Sequence, residues 1–177
     1  MQRGVIVGVI AMTVIVAASN YLVRFPLGEW LTWAAFTYPI AFLVTDLTNR
    51  ALGPGAARRV VLVGFAIGVI ASAIVATPRI AVASGTAFLV AQLLDVQLFD
   101  RLRRARAWWR APLVSSTVAS AVDTALFFGL AFAGTEVPWP TLAAGDFGVK
   151  LLAAGLMLVP FRLLMNATAP DSVAESR

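Results

Sequence analysis

The chain has 177 residues, 60% of them hydrophobic and 13% charged, about half the charged share of a soluble domain, which runs near 25%. It holds neither Cys nor His, which excludes disulfides, thiolate or imidazole metal sites, Cys nucleophiles and His-based catalysis. A net charge of +5 raises nucleic acid as a partner, but the placement of the basic residues points to lipid headgroups instead.

Six continuous apolar runs, at 4–23, 31–50, 60–77, 80–100, 112–133 and 142–165, predict an all-α integral membrane protein of six transmembrane helices. Each run is long enough to cross a bilayer, and helices satisfy their own backbone there. The runs are continuous and not alternating, which argues against barrel strands. They make one domain, 1–168, followed by a short polar tail, 169–177.

Arg3 precedes helix 1, whose Val16-Ala17-Ala18 could pass for a signal-peptide cleavage site. The run continues through polar Asn20, which favours its retention as a helix, with Thr13 seven residues earlier. Trp30 and Trp33 sit at the start of helix 2, where an aromatic belt is expected. On helix 2, Tyr38, Phe42, Thr45, Asp46 and Asn49 share one face, and Arg50, Arg58 and Arg59 follow. Helix 3 carries almost nothing polar, which leaves it to face lipid or a second copy of the chain in a homodimer. Its Gly64 and Gly68 read as helix-packing positions.

Helix 4 starts after Arg79 and aligns Ser84, Phe88, Gln92 and Asp95. Its Ala87–Asp95 stretch resembles Ala41–Asn49 of helix 2, placing Asp46 against Gln92 and Asn49 against Asp95. Such a repeat predicts two parallel units lining one cavity. The next loop crowds Arg101, Arg103, Arg104, Arg106 and Arg110 around Trp108 and Trp109. Helix 5 aligns Ser116, Ser120, Asp123 and Thr124; helix 6 places Asp146 four residues before Lys150, the only lysine, a favourable pair within one helix. The basic loops alternate with nearly neutral ones, so both termini are expected in the cytoplasm and the arginines against anionic lipid.

Asp46, Asp95, Asp123, Asp146 and Lys150 lie inside apolar runs. An ionised side chain at mid-bilayer costs about 2.5–3.5 kcal/mol, so five of them are expected to face the bundle interior and to pair with one another or bind a ligand. Carboxylates accept parallel N–H donors, carboxamides read a carbonyl edge, and aromatic rings stack on a flat ring. This chemistry suits a ligand rich in N–H donors, or a cation, and among organic ligands a guanine-like base better than a sugar phosphate or an organic anion. No cofactor or metal is expected.

The chain resembles the queuosine precursor transporter family of bacterial inner-membrane proteins, formerly grouped as vitamin uptake transporters. The resemblance rests on Ser19–Val23; Thr37-Tyr38-Pro39 with Phe42–Thr48; Ala56–Arg59; Arg79–Ala81 with Ala83-Ser84; Gln92–Val96 with Phe99 and Arg101–Arg103; Trp108–Pro112; Asp123-Thr124 with Phe127-Phe128; and Asp146-Phe147 with Lys150. These motifs run in order from helix 1 to helix 6. The resemblance implies multi-pass insertion in the inner membrane and uptake of the 7-deazaguanines preQ0 and preQ1 for tRNA modification. Two departures stand out: the very short Thr77-Pro78-Arg79 connection, and Ser120 where many relatives carry Asn.

The expected mechanism is alternating access around a midplane site. Asp123 or Asp95 would take the ring N–H and exocyclic amine; Gln92 and Asn20 would read the carbonyl or ring nitrogen; Phe42, Phe88 or Tyr38 would stack. Asp46 would pair with the aminomethyl cation of preQ1, and Asn49, Ser84, Ser120 and Lys150 would complete the polar lining. Two other readings are a substrate-binding subunit of an ATP-driven importer and an intramembrane aspartyl enzyme. Against the first, helix 1 lacks Ala-x-x-x-Ala spacing; against the second, Gly145-Asp146 is preceded by Ala143-Ala144, so the first Gly of the G-x-G-D pattern is missing.

Overall fold

Proline and glycine set the helix ends. In the computed structural model, which describes residues 2–22, 25–27, 31–75, 77–104 and 106–165, six helices follow one another among the described residues: α1 (Gln2–Leu22), α2 (Ala34–Leu52), α3 (Pro54–Val75), α4 (Pro78–Leu102), α5 (Arg110–Phe132) and α6 (Trp139–Leu164). Gly53 ends α2 at φ +85° and donates its N–H to the Asn49 carbonyl at 2.9 Å, a backbone conformation that glycine adopts without a Cβ penalty. Pro54 then opens α3 at once, since the first helical position needs no N–H donor. Thr77 caps α4, its hydroxyl accepting from Ile80 N, with Pro78 behind it.

α3 therefore begins six residues before the apolar run drawn from the sequence, and Arg58 and Arg59 are exposed side chains of its first turns, not of a loop. Helices outlast their apolar stretch wherever polar ends reach beyond the hydrocarbon. Conversely, residues 31–32 do not open α2. They form strand β2 (Leu31–Thr32), paired antiparallel with β1 (Pro26–Leu27) in a small hairpin between α1 and α2. Trp33 N closes it on the Phe25 carbonyl at 3.2 Å. Trp30 and the tail 169–177 lie outside the described residues.

α2 is the hub, packed against α1, α3, α4 and α6, while α4 and α5 share the broadest helix pair. The main core joins Met12 and Val16 of α1, Ala41 of α2, Ala57, Val60 and Val61 of α3, and Phe88 and Val96 of α4. Small residues permit it. A Cβ at Gly64 would lie 2.5 Å from Met12 Cγ, and one at Gly68 would lie 3.4 Å from Val16 Cγ1. The Gly64/Gly68 face is thus where α1 rests on α3. A second cluster joins α2 to the ends of α4, α5 and α6: Leu43, Phe99, Ala111, Phe161 and Met165, with Phe99 and Phe161 edge to face at 6.0 Å.

Two arginines fasten α4 at its ends. Arg79 donates from Nε to the Leu130 carbonyl (2.9 Å) and from Nη2 to the Ala133 carbonyl (2.6 Å), capping the C-terminus of α5. Arg103 donates to the Asn49 carbonyl near the end of α2 (3.1 Å) and pairs with Asp100 at 2.8 Å. Both place a cation against the carbonyls of a helix C-terminal turn, the negative end of the helix dipole.

The outside is apolar. α1 exposes Ile6, Val7, Ile10 and Val14; α3 exposes Leu62, Val69, Ile70 and Ile74; α6 exposes Leu152, Leu156, Val159 and Leu163. Large apolar patches of this extent are unsuited to water. Pro78–Leu102, Arg110–Phe132 and Trp139–Leu164 are each long and apolar enough to cross a bilayer. The molecule is a helical membrane protein.

Candidate functional site

Three helices bound a narrow cleft, partly open to the outside, whose cavity volume is about 20 Å³, roughly room for one water. α2 supplies Pro39, Phe42, Leu43 and Asp46; α5 supplies Pro112, Ser116 and Ser120; α6 supplies Lys150, Ala154, Met157, Leu158 and Phe161. The α5 residues recur every fourth position, one face of a helix. Pro39 lies inside α2 and lacks an N–H, so the helix ladder is interrupted at the cleft wall.

The polar residues divide into two groups. At the α5–α6 contact, Lys150 Nζ donates to Asp123 Oδ2 (2.7 Å), Thr124 Oγ1 (3.1 Å) and Asp146 Oδ2. Thr124 in turn donates to Asp146 Oδ2 at 2.7 Å. An ammonium has three N–H donors, and Lys150 has three acceptors. Its hydrogen bonds are spent inside this network, and one oxygen of each carboxylate is taken by it. The Asp146–Lys150 pair is the expected one; Asp123 joins it from 27 residues away. A bidentate grip by Asp123 on a ligand would have to compete with Lys150.

The second group lies behind α2, at its seam with α4 and α5. Asp46 faces Asp95 and Ser116, and Asp95 also faces Ser115 and Ser116. All four side chains are buried. Thr45 Oγ1 lies 2.8 Å from Gln92 Oε1 and 3.0 Å from the Ala41 carbonyl. One hydroxyl hydrogen cannot serve both acceptors fully. Turning the Gln92 amide over, so that Nε2 donates to Thr45 while Thr45 donates to Ala41, satisfies all three groups. Asn49 donates to the Val96 carbonyl at 2.8 Å.

Four of the twelve sequence-derived site residues therefore line the cleft: Phe42, Asp46, Ser120 and Lys150. Asp123 touches Lys150 at its edge. Gln92, Asp95 and Asn49 sit in the α2–α4 seam. Ser84 bonds the Ala81 carbonyl of its own helix at 3.3 Å, and Phe88 belongs to the main core, so neither is a cleft residue. The side chains of Asn20 and Tyr38 lie outside the described residues. The two similar stretches of α2 and α4 pack against each other, and only α2 reaches the cleft. Ser116, of the α5 stripe read from the sequence, also lines the cleft, whereas Pro39, Pro112, Met157 and Phe161 were not among the expected ligand residues. The four-residue spacing Pro112–Ser116–Ser120 could have disclosed Pro112; the apolar wall of α6 carried no such signal.

A lipid-facing helix bundle with four acids and one lysine in its helix contacts, beside a cleft, belongs to the class of polytopic membrane proteins with an internal polar site. A family model described as "Putative vitamin uptake transporter" matches residues 32–77 and 70–165. Queuosine precursor transporter of Escherichia coli (strain K12) is 35% identical over 86% of this chain and 82% of its own length. The relative from Haemophilus influenzae, a "Probable queuosine precursor transporter", is 34% identical over 82% of this chain and 79% of its own. One of the same name from Bacillus subtilis is 32% identical over 84% and 77%. This chain belongs to the queuosine precursor transporter family. No solved structure matches it.

Proposed function

We propose that this protein imports queuosine precursors across a bacterial inner membrane by alternating access around the α2–α5–α6 cleft, with six crossings and both termini in the cytoplasm. The observation that carries the reading is the cleft itself. It sits between membrane helices, and its lining includes Phe42, Asp46, Ser116 and Ser120. A 7-deazaguanine offers a flat ring for Phe42, N–H donors for Asp46, and acceptors for the serines. This assignment shifts the recognising acid from Asp123, which Lys150 engages, to Asp46. The relatives' names describe transport of the same class of compound, and the names describe transporters, not enzymes.

The test is ligand-dependent stabilisation of the purified protein. A ligand that binds the folded state raises the melting midpoint by mass action. PreQ1 or preQ0 should raise it in a dose-dependent way and guanine little. Phe42→Ala should reduce the shift at least tenfold in ligand concentration. A folded protein indifferent to all three compounds would refute the substrate assignment, and uptake by the lone chain in vesicles then decides whether it transports at all.

A further inference from the structure

Asp46 Oδ1, both carboxylate oxygens of Asp95 and Ser115 Oγ have no hydrogen-bond partner among the described residues, and all are buried. Asp95 and Ser115 are wholly inaccessible to solvent. These are not scattered atoms. Asp95 faces Asp46 from α4, and Ser115 lies beside Asp95 from α5. Asn49 Oδ1, one turn from Asp46 on α2, is likewise without a partner. Buried polar atoms in a folded protein are almost always satisfied, and an exception calls for an unseen ion or water. Here the exceptions are oxygens converging from three helices.

The charges lead to the same place. Lys150 is engaged by Asp123, Asp146 and Thr124. The groups facing the Asp46–Asp95 pair from the neighbouring elements are the neutral Ser115 and Ser116 of α5, and Lys150 of α6 lines the same cleft as Asp46. Two facing carboxylates without a cation repel each other and cannot both stay charged in a dry interface. All-oxygen donor sets of this kind suit hard cations. No cluster of three acids is present among the described residues; a calcium-type ion takes six to eight oxygens and magnesium a near-ideal octahedron, more donors than this seam offers, so its donor set suits a small monovalent ion.

We infer that the Asp46–Asp95–Ser115 seam between α2, α4 and α5 is a binding site for a small monovalent cation, a sodium ion or a proton, separate from the organic-ligand cleft. Asp46 belongs to both, lining the cleft on one side and facing Asp95 on the other. A cation there adjusts the charge that the cleft presents to its ligand, which couples the two sites. The coupling rests on the cleft reading; the cation site does not.

The experiment uses the purified full chain without any organic ligand, so its outcome is independent of the substrate assignment. Melting midpoints are recorded in choline chloride, with sodium or potassium replacing choline at constant ionic strength and pH. A second series varies pH in sodium-free choline buffer. Sodium as occupant predicts a saturable rise with Na⁺ and none with choline. Ser115→Ala should then raise the half-saturating sodium concentration about tenfold, and Asp95→Asn should abolish the response. A proton as occupant predicts no sodium effect and a rise on acidification that is lost in Asp95→Asn and kept in Ser115→Ala. The proposal is overturned if the wild-type midpoint responds to neither, or if both variants respond as the wild type does. Where Asp95→Asn does not fold, Asp46→Asn takes its place in both series with the same expected loss of response.

Discussion

Replacing Lys150 with Met removes the cation from the α5–α6 network while keeping a long apolar stem. Asp123, 5% exposed, then loses its ion pair and faces Asp146 without a counter-charge. Removing one partner of a buried pair costs about 3–5 kcal/mol. For a chain of this size each kcal/mol moves the melting midpoint by about 2–4 °C, so Lys150→Met should melt about 6–20 °C below the wild type. Asp146 is more open, its side chain 27% exposed, and Asp146→Asn leaves the Asp123 pair in place. That variant should lose about 1 kcal/mol or less, the range of solvated ion pairs. The decisive measurement is the double variant Lys150→Met/Asp123→Asn. With the orphan charge gone, it should recover most of the loss, because neutral replacements of a whole buried pair are often tolerated. Thermal melts of the wild type and these three variants in one detergent give the comparison. If Lys150→Met melts within about 2 °C of the wild type (about 1 kcal/mol or less), or if the double variant is as unstable as the single one, the pairing argument is wrong.

Gly64→Ala gains about 1 kcal/mol of helix propensity but drives a Cβ to 2.5 Å from buried Met12 Cγ, and overpacking of about 1–3 kcal/mol should outweigh it; a lowered melting midpoint checks the sign. Gly148→Ala, with nothing within 4 Å of the added Cβ, should raise the midpoint by the equivalent of up to about 1 kcal/mol. Arg79→Lys should behave as Arg79→Ala does, since a single ammonium cannot reproduce the guanidinium fork that holds the Leu130 and Ala133 carbonyls; the two variants should melt together, below the wild type. Ser120→Asn places a larger carboxamide in the cleft wall and should change the preference between preQ0 and preQ1 in the stabilisation assay, with little effect on the unliganded midpoint.

Much of the helix order is legible in the sequence because bilayer length, Gly53, Pro54 and Pro78 leave little freedom. The Asp146–Lys150 pair is legible for the same reason, being fixed within one helix. Partners from different helices are not. Asp123 completes that network only because α5 and α6 pack at a particular rotation. The stripe Ser84, Phe88, Gln92 and Asp95 follows one face of α4, yet it meets different neighbours along the helix: Phe88 joins the α1–α3 core and Gln92 meets α2. A shared face does not mean a shared cavity when a helix is surrounded. The resemblance between α2 and α4 is informative in another way. The hydrogen bonds joining Thr45 to Gln92 and Asn49 to Val96 both span 47 residues, the constant offset of two helices lying parallel. The offset is one residue larger than the aligned repeat, and Asp46 faces Asp95, 49 residues on, and not its counterpart Gln92.

The sharing of polar partners across the chain also constrains how the protein is made. Arg79 finds its carbonyls 51 and 54 residues later, and Asp123 finds Lys150 after another 27. A nascent chain that has completed α5 but not α6 therefore holds an acid whose cation has yet to be made. Until α6 arrives, α5 must keep Asp123 neutral or wet, and a product truncated before residue 150 never acquires that lysine.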